Sequence, residues 1–97
     1  MAIRFEWDRK KAASNLAKHG LSFEMAREAF RDPQAHVEID DRQHDHEERL
    51  VRIAMVGSRY LFVVYTERAD PNSGDEIIRI VSARKATSHE RRTYHEG

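Results

Sequence analysis

Alternating apolar and polar residues at the start of the chain predict a β-strand followed by a helix. Ile3, Phe5 and Trp7 are separated by polar residues, which is the period-2 pattern of a half-buried strand. Asp8 then offers a side-chain acceptor for a helix N-terminus, and Gly20 suits the left-handed turn that ends such a helix. The predicted apolar stripe of this helix is Ala12, Ala13, Leu16 and Ala17, and its polar face is Lys11, Asn15 and Lys18.

The remaining pattern predicts a second helix, four more strands and a C-terminal helix. Ser22 suits the cap of a helix that ends at Asp32-Pro33, and Thr87 with Glu90 forms a capping-box sequence for the last helix. Strands are predicted at 36–41, 50–57, 60–68 and 76–84, the last three as an antiparallel meander. The fold class is therefore α+β, in the order β-α-α-β-β-β-β-α. We expect an antiparallel sheet of four to five strands, with helices on one face and the other face partly open.

Length and composition restrict the class of protein. Ninety-seven residues predict a single domain, 1–97, with a modest core. The chain has no cysteine, which excludes disulfides and thiolate metal sites, and it has no apolar run near the ~18 residues that a membrane span needs. The N-terminus lacks the apolar segment of a secretory signal. We therefore expect a cytoplasmic protein with no membrane association.

The charges are balanced overall but segregated along the chain. Lys and Arg total 17, and so do Asp and Glu. Residues 1–20 and residues 77–97 each hold five basic and two acidic side chains, whereas residues 38–48 hold six acidic and one basic. If the two basic ends meet in the fold, they form a positive surface suited to nucleic acid on a neutral molecule. The alternative is a mixed, solvated surface.

Arginines at the ends of predicted strands are the candidate phosphate ligands. The planar guanidinium fork matches phosphate oxygens, and Arg68 and Arg84 both stand where a central strand should end. Strict pleating would point Arg79 and Arg84 to opposite faces, so a bulge or a strand end near Ala83 is needed to bring them together. The alternative is surface ion pairing of these arginines with Glu67, Glu76 or Glu90.

The candidate for proton transfer is His19, next to Lys18 at the end of the first helix, because histidine side chains titrate near neutrality. Both residues can equally serve to offset the helix dipole. Tyrosines can donate protons or stack on bases, but Tyr65 in a central strand is expected in the core. The segment His44 to Glu48 has metal-ligand composition without metal-site spacing, so we predict no metal and no other cofactor.

Several longer motifs follow one another along the chain. They are F-E-W-D at 5–8, N-x-x-K-H-G-L-S-F at 15–23, E-E-R at 47–49, V-x-Y-T-E-R at 63–68, and I-R-I-V-S-A-R-K-A at 78–86 followed by E-R-R-x-Y at 90–94. Together and in this order, they resemble the BrnT family of bacterial toxins. The resemblance covers nearly the whole chain. It implies a RelE-like ribonuclease fold, cleavage of mRNA that halts growth, and neutralisation by a cognate BrnA antitoxin. It also implies promoter binding through the antitoxin alone.

The resemblance also marks residues to test. They are Lys18, His19, Glu48, Arg49, Arg68, Arg79, Arg84, Lys85 and Tyr94. RelE-like toxins favour clustered basic residues, so Arg68 and Arg84 are predicted to be catalytic, with His19 as the proton donor or acceptor. The predicted substrate-binding residues are Lys18, Arg49, Arg79, Lys85 and Tyr94. The chain departs from the family pattern at 43–48, where His44-Asp45-His46 adds negative charge.

Two hypotheses follow for the function. The first is an endoribonuclease toxin that cleaves mRNA by metal-independent attack of the 2′-hydroxyl and forms a hetero-oligomer with its antitoxin. The second is a non-catalytic module that only binds a partner in a toxin–antitoxin-like complex. Growth arrest on expression, relieved by a neighbouring small protein, would favour the first.

Overall fold

The computed structural model describes residues 2–42 and 47–97, which form five strands and three helices. The elements are β1 Ile3–Glu6, α1 Arg9–His19, α2 Phe23–Glu28, a 3-10 turn Ala29–Arg31, β2 His36–Asp40, β3 Arg49–Val56, β4 Arg59–Ala69, β5 Glu76–Lys85 and α3 Ser88–Glu96. The predicted α+β class and element order are confirmed. No helix within the described residues is both long enough and apolar enough to cross a membrane.

The five strands form one mixed sheet in the order β1-β5-β4-β3-β2. Strands β2 to β5 are antiparallel neighbours, as the predicted meander requires. Strand β1 instead runs parallel to β5, with Phe5 opposite Ile78. The sheet is therefore mixed, whereas the sequence predicted an antiparallel one. The exception is the parallel strand β1, which lies at the edge farthest from β2.

The helix boundaries follow the predicted capping residues. The Asp8 side chain caps α1 at its N-terminus, and Gly20 ends it with a left-handed φ of 70°. Ser22 caps α2, and Thr87 and Glu90 form the complete capping box of α3. These local hydrogen bonds satisfy backbone groups that a helix end otherwise leaves without partners, so the sequence sets the ends of each helix.

The main core lies between the sheet and α2. Phe23 and Ala26 of α2 are fully buried against Leu61 of β4. Phe30, in the 3-10 turn, packs edge-on against Tyr65 with ring centroids 4.8 Å apart. Tyr65 is only 3% exposed, which confirms its predicted place in the core.

The orientation predicted for α1 is correct only for Ala12, which packs against the main core. Leu16 of the predicted apolar stripe is 51% exposed, whereas Asn15 of the predicted polar face is 6% exposed. The reason is that β1 ends at Glu6 and leaves the edge of β5 without a partner strand farther along. The Asn15 side-chain amide takes that place: it donates to the Ala83 carbonyl at 2.8 Å and accepts from the Ala83 N–H at 3.0 Å.

The three helices do not share one face of the sheet, contrary to expectation. Tyr94 of α3 packs on a second apolar cluster, on the face opposite α1 and α2. The buried members of that cluster are Val51, Ile53 and Val64. Helix α3 crosses one end of this face. Near its start, Glu90 is bound to Arg84 of β5, and after its end, Gly97 lies against the His36 ring of β2.

Candidate active site on the arginine face

Four of the predicted site arginines extend from the sheet face opposite α1 and α2. They are Arg49, Arg68, Arg79 and Arg84, and we call this surface the arginine face. The register shows the shared direction: Arg79 is opposite Thr66 and Arg84 is opposite Phe62, two β4 residues that alternate in phase with Arg68. Leu50, the neighbour of Arg49, belongs to the cluster on the other face. Guanidinium groups that are distant in sequence therefore lie on one side of the sheet.

A β-bulge in β5 makes this alignment possible. Val64 is opposite Ser82, but Tyr65 is opposite Ile80, so Val81 is an extra residue in the ladder. The extra residue reverses the alternation of side chains, and Arg79 and Arg84 then point the same way. Of the two alternatives expected near Ala83, the structure has the bulge, with Val81 as its unpaired residue, whereas β5 does not end there but continues to Lys85.

A single carboxylate brings Arg49 and Arg79 together. The Arg49 Nε donates to Oε2 of Glu47 at 3.0 Å, and an Nη of Arg79 donates to the other oxygen, Oε1. The hydrogen bond from Arg49, and then the charge of Arg79, outweigh partial burial and lower the pKa of Glu47 below its usual range. Two guanidinium groups from β3 and β5 thus converge on one oxyanion.

Arg68 extends this charged row toward β1. Its two Nη atoms donate to both carboxylate oxygens of Glu6 at 3.0 and 3.2 Å. Glu6 in turn is the register partner of Arg79. Hydrogen bonding to Glu6 raises the pKa of Arg68, which keeps the group charged. Two carboxylates therefore bind three arginines of the face: Glu6 binds Arg68, and Glu47 binds Arg49 and Arg79.

Arg84 occupies a different part of the face. Its register partner on β4 is four residues from that of Arg79, which is about 13 Å along the strand. Both Nη atoms donate to Glu90 at 2.9 Å, and the guanidinium carbon lies 4.0 Å from the Phe62 ring centroid. Of the ion pairs proposed as the alternative for these arginines, the pair with Glu90 is the one present. It fixes the start of α3 to the sheet.

We therefore predict that Arg84→Ala lowers the free energy of unfolding by about 2 kcal/mol, because it removes a bidentate ion pair and a cation–π contact and leaves Glu90 partly buried. Arg84→Lys should restore part of the loss. Urea unfolding followed by circular dichroism measures it. The control is Arg68→Ala, which removes an exposed ion pair and should not shift the midpoint. Equal shifts in the two variants would contradict this assignment.

The structure places Lys18 and His19 at the rim of the arginine face. Both border a shallow cleft of about 210 Å³ together with Ser82 of β5. Ser82 is opposite Val64, so it belongs to the same face, between Arg79 and Arg84. Lys85 is different: it is opposite Leu61 on the helix side of the sheet, where it borders a second cleft with His19.

The Tyr94 hydroxyl is partly buried and bound to another part of the chain. It donates to Oδ2 of Asp32 at 2.8 Å, and the same oxygen accepts the Met55 N–H at 2.8 Å. Burial, followed by the bond to Asp32, raises the pKa of Tyr94. The contact joins α3 to β3 and to the segment after the 3-10 turn. Its predicted RNA contact stays a prediction.

Sequence reasoning missed two carboxylates of this site, Glu6 and Glu47, as partners of the arginines. Glu47 was assigned to a solvated acidic segment, although its place in E-E-R beside Arg49 was an available signal. Of the segment considered for metal binding, His44, Asp45 and His46 lie outside the described residues. Within residues 2–42 and 47–97, no three side chains of His, Asp or Glu are grouped to hold a metal ion.

Glu67 and Glu76, expected as arginine partners, lie on the opposite face and bind each other. The hydrogen bond with Glu76, together with burial and the charge of that neighbour, raises the pKa of Glu67 to about 7. Arg52 is the cation nearby that opposes this effect. Because pleating directs Glu67 and Arg68 to opposite faces, adjacency in sequence did not make them partners.

We predict that Glu67→Gln removes part of the pH dependence of stability. The folded state holds the shared proton more tightly than the unfolded chain, whose glutamate has a pKa of 4.5. The stabilisation of the folded state by this proton is therefore complete below the pKa of the unfolded glutamate, 4.5, and is lost as the pH rises through about 7. Exposure of Glu67 limits it to about 1 kcal/mol.

Urea unfolding at pH 5 and pH 8 measures this effect. The parent chain should lose about 1 kcal/mol more than Glu67→Gln between the two conditions. Glu24→Gln, an exposed substitution on α2, serves as the control and should follow the parent. Identical pH dependence in the parent and Glu67→Gln would show that the two carboxyl groups share no proton.

Comparison with known proteins yields one match to a family. The family model described as ribonuclease toxin, BrnT, of type II toxin–antitoxin system matches residues 7–90. This range contains every predicted site residue except Tyr94. No curated protein matches the chain.

Proposed function

Because the chain belongs to the BrnT family of ribonuclease toxins of type II toxin–antitoxin systems, we propose that it is an endoribonuclease that cleaves mRNA on its arginine face. The cleavage uses no metal ion, and a BrnA-type antitoxin neutralises it. One observation carries the proposal: Arg49 and Arg79, from separate strands, donate to the two oxygens of one carboxylate. A phosphodiester presents two non-bridging oxygens of the same kind to the same two groups.

The reaction is attack of the 2′-hydroxyl oxygen on phosphorus. A bond forms between them, the bond to the 5′-oxygen breaks, and the products are a 2′,3′-cyclic phosphate and a 5′-hydroxyl. Negative charge grows on the non-bridging oxygens as the fifth bond forms. Arg49 and Arg79 stabilise that charge once the phosphate has displaced Glu47, and Arg68 adds a third cation beside them.

His19 is the group that we assign to proton transfer. One proton must leave the 2′-hydroxyl and one must reach the 5′-oxygen. Glu47 also lies beside the arginines, but its lowered pKa makes it a weak base near neutral pH. His19 borders the cleft at Ser82 on the same face, and Lys18 next to it adds positive charge for the RNA backbone.

The remaining predicted residues fit a path for RNA along β5. Arg84 lies on the arginine face beyond Ser82, and Lys85 lies just across the strand on the helix side. Tyr94 is on α3, which covers the far end of the face. We propose that Arg84, Lys85 and Tyr94 contact nucleotides next to the cleaved bond, with Arg84 also holding α3. Cleavage of mRNA places the activity in the cytoplasm, and promoter binding is assigned to the antitoxin.

The non-catalytic binding module is the second candidate, and one observation favours it. Arg68, Arg79 and Arg84 already bind carboxylates of the chain itself, so RNA must displace Glu6, Glu47 or Glu90 to reach them. A protein that only docks a partner has no need to release these arginines.

Incubation of the purified, antitoxin-free chain with RNA in excess EDTA tests the proposal. We expect fragments that end in 2′,3′-cyclic phosphate. Loss of cleavage in EDTA would contradict the metal-independent chemistry. A folded preparation that cleaves no RNA, and whose expression leaves growth unaffected, would favour the binding module instead.

A further inference from the structure

Strand β2 forms an edge of the sheet with an open outer side. Its residues His36–Asp40 pair with β3, and no other described strand pairs with β2. The pairing with β3 is regular over all five residues, without a bulge. Such an edge presents backbone groups that another strand can bind.

The side chains of β2 protect this edge only by negative charge. Folded proteins also block an open edge with lysine, proline or a bulge, and β2 contains none of them. Val37 and Ile39 are 44% and 62% exposed, and both point to the helix side of the sheet, beside Leu50. Two of the four exposed large apolar residues in the described part of the chain thus lie on the same face of one edge strand.

The charge of the segment indicates which partner fits. Glu38 lies between the two apolar residues and points to the arginine face, and Asp41 follows the strand; both are exposed. An antiparallel pair of two β2 strands centred on Glu38 would place two carboxylates directly opposite each other, which is destabilising. A strand from a different protein, with basic residues in alternation with apolar ones, avoids this repulsion and covers Val37 and Ile39.

We propose that the outer edge of β2 binds an extended, basic segment of the antitoxin as a sixth strand of the sheet. Its apolar side chains cover Val37 and Ile39, and its basic side chains lie beside Glu38. The inference rests on the proposed function for the existence of this partner. The register places Asp40 opposite Arg49, so a segment bound to β2 lies next to the arginine face. The chain that continues from it is then positioned to cover that face.

Two synthetic peptides test the chemistry of the edge. In the first, lysine alternates with valine and isoleucine over seven residues, and in the second, glutamate replaces each lysine. Titration into the isotope-labelled chain should shift the amide resonances of residues 36–40 and slow their hydrogen exchange. We expect the basic peptide to bind about 10-fold more tightly than the acidic one. Equal affinities, or shifts centred on β1, would overturn the proposal.

Paired substitutions locate the binding site. Val37→Lys combined with Ile39→Lys should weaken the basic peptide about 10-fold, because it adds charge and removes apolar contact. Ile3→Lys is the matched control: Ile3 is 57% exposed on the opposite edge of the sheet. An equal loss with Ile3→Lys would contradict the assignment. A chain that self-associates through β2 in sedimentation would assign the edge to a second copy instead.

Hydrogen exchange in the purified toxin–antitoxin complex decides the identity of the occupant. Amides of residues 36–40 should be protected in the complex relative to the free chain, and unchanged exchange there would overturn the proposal. RNA cleavage by the free parent chain separates this inference from the proposed function. If the parent cleaves no RNA, the ribonuclease proposal fails, while the peptide titration and exchange experiment still decide the role of β2.

Discussion

Replacement of Arg79 by alanine is expected to lower the rate of RNA cleavage about 100-fold, which is the usual effect of removing one donor from an oxyanion-binding site. Arg79 and Arg49 both bind Glu47, so removal of either leaves a single guanidinium for the phosphate. Single-turnover cleavage of a labelled RNA oligonucleotide measures the rate. The loss should appear at saturating RNA, because Arg79 is proposed to stabilise the charge that develops on the phosphate during the reaction.

Stability and specificity controls accompany this prediction. Arg79 is partly exposed, and Glu47 retains Arg49 in the variant, so the free energy of unfolding should change by less than about 1 kcal/mol. Arg31→Ala removes an arginine whose side chain is 82% exposed, away from the arginine face, and should retain the parental cleavage rate. Equal losses in Arg79→Ala and Arg31→Ala would show that only overall positive charge matters.

Replacement of Asn15 by alanine is expected to lower the free energy of unfolding by about 3 kcal/mol, since buried backbone groups lose their partners. The Asn15 side chain makes three hydrogen bonds, two with Ala83 and one to the Leu21 carbonyl at 3.0 Å. Because the site is buried, these backbone groups have no contact with water in the folded chain. Urea unfolding followed by circular dichroism measures the loss.

Ser14→Ala is the control for this substitution, since Ser14 is the exposed neighbour on the same helix. It should leave the unfolding midpoint unchanged or slightly raised, because alanine has the higher helix propensity. A loss below about 1 kcal/mol for Asn15→Ala would mean that water replaces the amide and that α1 is not fixed to β5 in this way.

The elements of the fold were predictable because their signals are local. Asp8, Gly20, Ser22 and the capping box at Thr87 each act within four residues, and each is observed where expected. The buried face of α1 was not predictable in this way. Its orientation depends on β1 ending at Glu6 and leaving part of β5 without a neighbour, which is a tertiary fact that helical periodicity does not contain.

The candidate site was predictable in part. The position of the arginines on strands, and the need for a bulge or a strand end between Arg79 and Arg84, followed from the alternation of side chains. The carboxylates that bind these arginines could not be predicted in this way, because Glu6 is 62 residues from Arg68 and Glu47 is 32 residues from Arg79. The expected partners Glu67 and Glu76 lie on the other face. Glu90 was considered as an arginine partner only within the alternative of surface ion pairing, and it lies six residues from Arg84 across one strand end and the first turn of α3.

The internal ion pairs are consistent with the balanced charge of the chain. The four arginines of the face share three carboxylates, Glu6, Glu47 and Glu90, so the free protein carries no large excess of positive charge there. We expect such a surface to bind polyanions without sequence preference more weakly than an unpaired arginine cluster would. Under the proposed function, cleavage depends on a substrate that offers phosphate where Glu47 is bound.

The most direct test of whether Arg49 and Arg79 bind the scissile phosphate is the effect of sulfur substitution at the cleaved bond. In the parent chain, replacement of one non-bridging oxygen by sulfur should slow cleavage of one diastereomer about 10-fold, because sulfur accepts hydrogen bonds poorly. In Arg79→Ala the same replacement should have almost no effect, since the donor is already missing. An unchanged sulfur effect in Arg79→Ala would contradict the claim that this guanidinium binds the scissile phosphate.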